Sequence, residues 1–400
     1  MAVYHDREHF IPLRIADLVE FLATGKGGKA EAPPLSDADQ RDVRRLAERL
    51  GDHFHHAFRA RFTRIKDAYA PFDPDRDTVA IDSPNDVEKA KAIQSLFAEI
   101  KGLLERANYK ELTIEHANQV MKGASLWGLD LDVDWSVFDH IAMYYRGDAP
   151  GPRTVRRWWK LWKREEIQVP EFNRLVLVLK QKPHKRLGKD ADTSSVFMKI
   201  FKDMPKADLE MVLPGTRIQL TKLDRGLIFY PLLSGFALLL YKVLSDLLEF
   251  KDIFSIATSI SLSWSLAVLF AGYGYKSYSR YANKKTAYTL RLTRSLYYQV
   301  IDNNAGVFFR LLDEAEEQEV REALLAYFYL WRHAGDRGLS AEELDDRIEQ
   351  DLDRRLSVKV DFEIGDALEK LHALGLVKKD GELLRAVSLD EAIRKLEECR

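Results

Sequence analysis

Residues 253–275 (IFSIATSISLSWSLAVLFAGYGY) run for 23 positions without one charge. A helix crossing a bilayer needs about 20 mostly apolar residues, so this run is long enough. A core helix of a soluble domain rarely stays uncharged on every face for that length. The run therefore predicts a transmembrane helix. Residues 226–248 (GLIFYPLLSGFALLLYKVLSDLL) make a weaker second span, whose uncharged part stops at Tyr241 before Lys242 and Asp246. The Lys242 stem is close enough to the end to snorkel, and Pro231 is tolerable in a lipid-embedded helix. Only EFKD separates the two runs, so they read as an antiparallel helical hairpin at 226–275. The competing reading is a buried hairpin inside a larger domain.

Flanking charge orients such a hairpin. The connection is acidic, with Asp246, Glu249 and Asp252 against Lys251. The outer flanks carry Arg217, Lys222, Arg225, Lys276, Arg280, Lys284 and Lys285. Both termini then lie on the cytoplasmic face, with Arg225, Lys276, Arg280, Lys284 and Lys285 as the membrane flank. Along the second span Ser255, Ser259, Ser263, Ala267 and Ala271 recur every four residues. Small side chains at that spacing let helices approach closely. They pack either on the first span or between chains of a homo-oligomer, where they could line a pore.

The rest of the chain is globular in composition, with 46% hydrophobic and 31% charged residues over 400 positions. A mean hydropathy of -0.30 excludes a polytopic transporter. The net charge of -2 is unevenly spread. Residues 226–312 carry +5, and residues 313–400 carry -10. The single cysteine, Cys399, excludes an intrachain disulfide framework and suits a reducing compartment. The opening MAVYHDREHF shows neither a signal-peptide core nor a transit-peptide composition.

The fold class expected is α+β. Residues 1–35 form an N-terminal segment and linker. Residues 36–225 form a cytoplasmic domain, with helices first and a mostly antiparallel sheet second. Ser36 with Asp39 starts a long helix to about Tyr69. Residues 276–316 read as a juxtamembrane helix. Residues 317–400 contain an amphipathic helix, two more helices and a hairpin through Lys379, Asp380 and Gly381. That is a winged-helix-like order.

Three clusters bear on chemistry. His53, His55 and His56 lack the spacing to share one helix face, and read as a solvated surface. Asp73, Asp75 and Asp77 begin like a calcium loop, but Thr78 stands where glycine is needed. Residues 153–189 hold 12 basic and 3 acidic residues among tryptophans. Arg156, Arg157, Trp158, Trp159, Lys160 and Trp162 suit anionic lipid headgroups; a buried tryptophan sheet with a basic face is the bland alternative. Nucleic acid is disfavoured, because the recognition-helix position, 361–376, carries Asp361, Glu363, Asp366 and Glu369 against Lys370. No nucleotide loop, nucleophile elbow or metal-ligand spacing is present in the sequence. No cofactor or metal is expected, and no catalytic residue.

The phrases HFIPLRIADLVEFL, YAPFDPDRDT, ANYKEL, YYRG, FKDMPKADLEMVLPG, LYYQVIDNNAGVFFRLLDEAEEQE and EALLAYFYLW occur in this order between residues 9 and 331. With them the chain resembles the uncharacterised two-span proteins that include mitochondrial transmembrane protein 143 and its bacterial and plant relatives. The resemblance implies an inner-membrane setting and no assigned activity. Without an organelle targeting segment, a bacterial inner membrane is the expectation. The functional expectation is a membrane-anchored, non-enzymatic scaffold or regulatory protein with protein partners. The alternative is an oligomeric channel formed by the second span.

Overall fold

A strand buried on both faces must be apolar at successive positions, not alternate ones. Leu175, Val176, Leu177, Val178 and Leu179 are such a run, and all five are buried. They lie in β4 (Arg164–Gln181), at the centre of an antiparallel sheet. Its neighbours are β3 (Phe138–Arg156) and β5 (Val196–Pro205). The short strands β1 (Lys110–Glu111) and β7 (Val300–Asn303) close the two edges, giving the order β1-β3-β4-β5-β7. Register is set by pairs such as Met143↔Leu177 and Val178↔Met198. A small separate pair joins β2 (Asp130–Asp132) to β6 (Arg217–Gln219).

This is a computed structural model, and it describes residues 8–26, 29, 33–78, 85–122, 130–156, 164–219 and 297–398, with scattered positions between 230 and 290. The protein is a mixture of helices and antiparallel sheet. One sheet face, with Phe172, Leu175, Leu177 and Phe201, packs on helix α4 (Ile114–Lys122) and the 3-10 turn Lys206–Val212. The opposite face, with Tyr144, Val176, Val178 and Ile200, belongs to a much larger helical core.

That core gathers α1 (Ile15–Thr24), α2 (Asp37–Tyr69) and α3 (Asp86–Arg106) with the C-terminal helices. Ser36 caps α2 by accepting from the Asp39 amide, and Asn85 with Glu88 forms a full capping box on α3. The C-terminal helices are α5 (Ala305–His333), α6 (Ala341–Leu356), α7 (Ile364–Ala373) and α8 (Leu389–Glu398). The hairpin β8 (Val377–Asp380) and β9 (Leu383–Ala386) separates α7 from α8, and Leu339 bridges to Leu384. Helix, bridge, helix, helix and hairpin is the element order of a winged helix. It shares one continuous core with α1–α3.

Helix α5 departs from its sequence appearance. An amphipathic helix is expected from Glu317 onward, yet every residue from Gln318 to Leu330 is buried. Other elements surround it, so its charged residues are paired inside the protein. The expected juxtamembrane helix at 276–316 is also interrupted. Residues 300–303 form the β7 edge strand, and α5 begins at Ala305. Asn304 joins the two by accepting from the Met198 amide and donating its own amide to the Met198 carbonyl.

The membrane expectation is corrected. Among the described residues, no helix is long and apolar enough to cross a membrane. Most of 226–275 lies outside the described residues. The transmembrane hairpin, the two-span anatomy, the inner-membrane setting and the cytoplasmic termini are therefore not supported.

The N-terminal segment ties the helical core together. Glu8 bridges to Val360, and the Asp361 amide donates to the Glu8 carbonyl at 3.0 Å. The Ile11 amide donates to Gln318 Oε1 of α5 at 3.2 Å. Next to this junction Asp345 is buried on α6. Burial, then the charges of Glu349, Asp346 and Asp361, push its carboxyl up to about 7. The ordinary aspartate value is about 3.9. Its contribution to stability is thus complete below about pH 4 and is lost as pH rises towards 7. Relative to Asp345→Asn, the urea midpoint of the wild type should fall across that window. Parallel profiles of the two proteins would contradict this.

Candidate interaction cleft

Two polar constructions stand out, one sealed and one open. The sealed one lies where α5 meets α7. Glu319 pairs with Arg106 at 2.7 Å and also with Lys370. Glu322 accepts from Lys370 Nζ at 2.8 Å and from Gln318 Nε2 at 2.8 Å. Asp366 is a third partner of Lys370. One oxygen of each carboxylate lies within 4.8 Å of the others, as around a bound cation. The cation among them is the Lys370 ammonium. Burial raises Glu322 above the usual carboxylate range, against the pull of Lys370. Beside it, Arg146 pairs with Glu314 at 3.0 Å and lies 3.7 Å over the Phe10 ring. This network joins α3, α5, α7 and the sheet.

The open construction is a cleft of about 710 Å³ between α1, the end of α5, and α6. Its α6 wall carries Glu343, Arg347, Gln350 and Arg354, spaced by four, three and four residues. That spacing sets them on one helix face. The face is held by a capping box in which Ser340 Oγ accepts from the Glu343 amide at 3.1 Å. Helix α5 contributes Phe328, Tyr329, Arg332 and His333, and α1 contributes Phe21 and Leu22. Arg337 comes from the turn between α5 and α6, and Arg355 from the end of α6.

Five arginines thus face three carboxylates, Glu343, Asp346 and Asp351. Arg337 pairs with Glu343. Asp351 takes both Arg354 at 3.1 Å and Arg355 at 3.0 Å, and accepts from the Tyr329 hydroxyl. Burial pushes Asp351 up, but the hydrogen bonds from Tyr329 and Arg355 outweigh it and hold the carboxyl low. Arg355 also stacks over Phe21 at 4.0 Å and donates to the Gly25 carbonyl at 3.2 Å. Arg332 donates to the Pro33 carbonyl at 3.4 Å. Burial, then Arg347 and Arg332, push His333 below the usual imidazole range. The cleft is therefore a positive field over an apolar floor.

Of the residues expected from sequence to contact lipid, the structure describes one. Arg156 ends β3 opposite Arg164, while Arg157, Trp158, Trp159, Lys160 and Trp162 lie outside the described residues. So do Ser255, Ser259, Ser263, Ala267, Arg225, Arg280, Lys284 and Lys285. Ala271 and Lys276 are helical and exposed. His55 has a carboxylate partner that sequence spacing did not reveal, Glu316 at 3.1 Å. Asp75 accepts from Asn304, and Asp73 accepts from the Asp75 amide, which is loop closure.

None of the cleft arginines was a sequence candidate. They lie in the block of -10 net charge, where the regional sum hid them. The usable signal was local: Arg347 and Arg354 share a helical face, and Arg332 ends the preceding helix.

A family described as a protein of unknown function (DUF3754) matches residues 138–306. That span covers the sheet from β3 to β7 and the start of α5, and the cleft lies beyond it. No solved structure matches the chain.

Proposed function

We propose that the protein is a non-enzymatic scaffold or regulatory protein, and that its cleft between α1 and α6 holds an anionic segment of a partner protein. The observation that carries this reading is the cleft itself. Five arginines, only partly neutralised, surround an apolar floor of Phe21, Leu22 and Phe328. Apolar area gives affinity, while complementary charge chooses the partner and speeds encounter. The sealed network around Lys370 supports a rigid platform.

The test uses the full chain and two fluorescein-labelled degenerate peptide libraries, one rich in Asp and Glu and one rich in Asn and Gln. Anisotropy should show tighter binding of the acidic library. The preference should shrink as salt rises from low to about 0.15 M, where the Debye length is about 8 Å. The double replacement Arg332→Glu, Arg347→Glu should abolish it. Equal binding of both libraries, or an unchanged preference in the double variant, would overturn the reading.

A further inference from the structure

We propose that Arg332, His333 and Arg347 form a site for the phosphate group of a phosphorylated side chain on a partner protein. This rests on the reading of the cleft as a docking site for an anionic segment, and adds the group that is gripped.

The argument is one of charge and shape. Arg337, Arg354 and Arg355 are tied to Glu343 and Asp351. Five arginines against Glu343, Asp346 and Asp351 leave two positive charges over the cleft as a whole, one of them at the Arg354–Arg355–Asp351 cluster. A carboxylate brings one negative charge. A phosphorylated side chain brings about -1.5 to -2 at pH 7, with three acceptor oxygens. The dianion matches the surplus. Guanidinium forks also suit phosphate oxygens by geometry, each offering paired N–H donors.

Arg332 and Arg347 come from different helices, and both line the cleft together with His333. The His333 ring lies against Tyr329, with centroids 5.8 Å apart and planes at 33°. That contact fixes its plane. The other charge that bears on His333 is Asp351, and it is already held by Tyr329, Arg354 and Arg355. Phe21, Leu22 and Phe328 give neighbouring side chains of a bound segment an apolar seat. Free inorganic phosphate would leave that seat unused, so the group arrives on a polypeptide.

The test is anisotropy on the full chain with three libraries of the same degenerate flanks. Their fixed central residue is phosphoserine, glutamate or serine, and inorganic phosphate is the competitor. The phosphoserine library should bind at least about tenfold tighter than the glutamate library, as expected for a second charge-assisted contact. Arg332→Ala and Arg347→Ala should each remove most of that margin. Arg385→Ala, an exposed position on β9, should leave it intact. In NMR titrations, the phosphoserine library should raise the His333 pKa. Equal binding of the phosphoserine and glutamate libraries overturns the proposal and leaves the acidic-segment reading standing. Equal binding of all three overturns both. Competition by inorganic phosphate as strong as by the phosphopeptides overturns the protein-borne ligand. Both arginines are exposed, so the variants should fold, and a circular dichroism melt verifies this.

Discussion

Replacing Lys370 with methionine should lower the free energy of unfolding by about 3–5 kcal/mol, the usual cost of removing one partner from a buried ion pair. The lysine is the shared cation of Glu319 and Glu322, which are 1% and 3% exposed. Without it, Arg106 alone among the described residues is left to balance two buried carboxylates. The cost should depend on pH. Glu322 is raised above its ordinary value by burial even with Lys370 present, and losing the cation raises it further. A raised carboxyl contributes fully below its unfolded value, about 4.3, and loses that contribution as pH rises. The variant should therefore be least stable relative to wild type at alkaline pH, and recover towards pH 4–5. Urea midpoints at several pH values measure this. A difference under about 1 kcal/mol at pH 7.5 would mean the network is not sealed. The triple variant Glu319→Gln, Glu322→Gln, Lys370→Met should regain much of the loss, since it strands no charge.

The second large effect is expected at Phe172. Truncation to alanine should cost about 3–5 kcal/mol, the transfer of a phenyl ring plus the cavity left behind. The ring is fully buried on the face of β4 that meets α4 and the 3-10 turn. Tyr145 packs against it at 4.7 Å, and the Lys206 ammonium lies over its face at 5.0 Å. Strands β3 and β5 fix it from both sides, through Asp148 and Met204, so the site cannot collapse around a smaller residue. Phe309, 49% exposed on α5, serves as the contrast. It stacks on Phe308 at 4.8 Å and meets Phe62 at 5.2 Å, so its truncation should cost about 0.5–1.5 kcal/mol. Similar losses at both positions would mean that the burial assigned to β4 is wrong.

The parts of the fold legible in the sequence are those decided locally. The β4 run is apolar at successive positions, and the start of α2 is written in Ser36 and Asp39. The mixture of helices with antiparallel sheet follows from such segments. What could not be read depends on distant partners. Strand β7 exists because Asn303 meets Lys199 and Asp302 meets Ile200 across about a hundred positions. Helix α5 looks half solvated because it carries Gln318, Glu319, Arg321 and Glu322, whose burial is made tolerable by Arg106, Asn108, Lys370, Glu317 and the Ile11 amide. The uncharged run at 253–275 shows the reverse failure. Its composition satisfied the length rule for a span, yet no described helix meets that rule. The cleft escaped notice because its residues come from α1, α5 and α6, and regional net charge cancels the pattern that matters.

The tie between the N-terminal segment and the C-terminal helices bears on how the chain is made. His9 meets the Asp361 carbonyl across 352 positions, and Ile11 is buried through Gln318 across 307. A ribosome adding about 5–20 residues per second takes tens of seconds to deliver those partners. Until then α1 and α2 have no α5 or α8 to pack against. Contacts this far apart in sequence also slow the closing step, because the loop must be ordered before it is rewarded. Helices α1 and α2 are therefore made long before α5 and α8, and the parts of their apolar faces that meet those helices stay open to a holding chaperone until then.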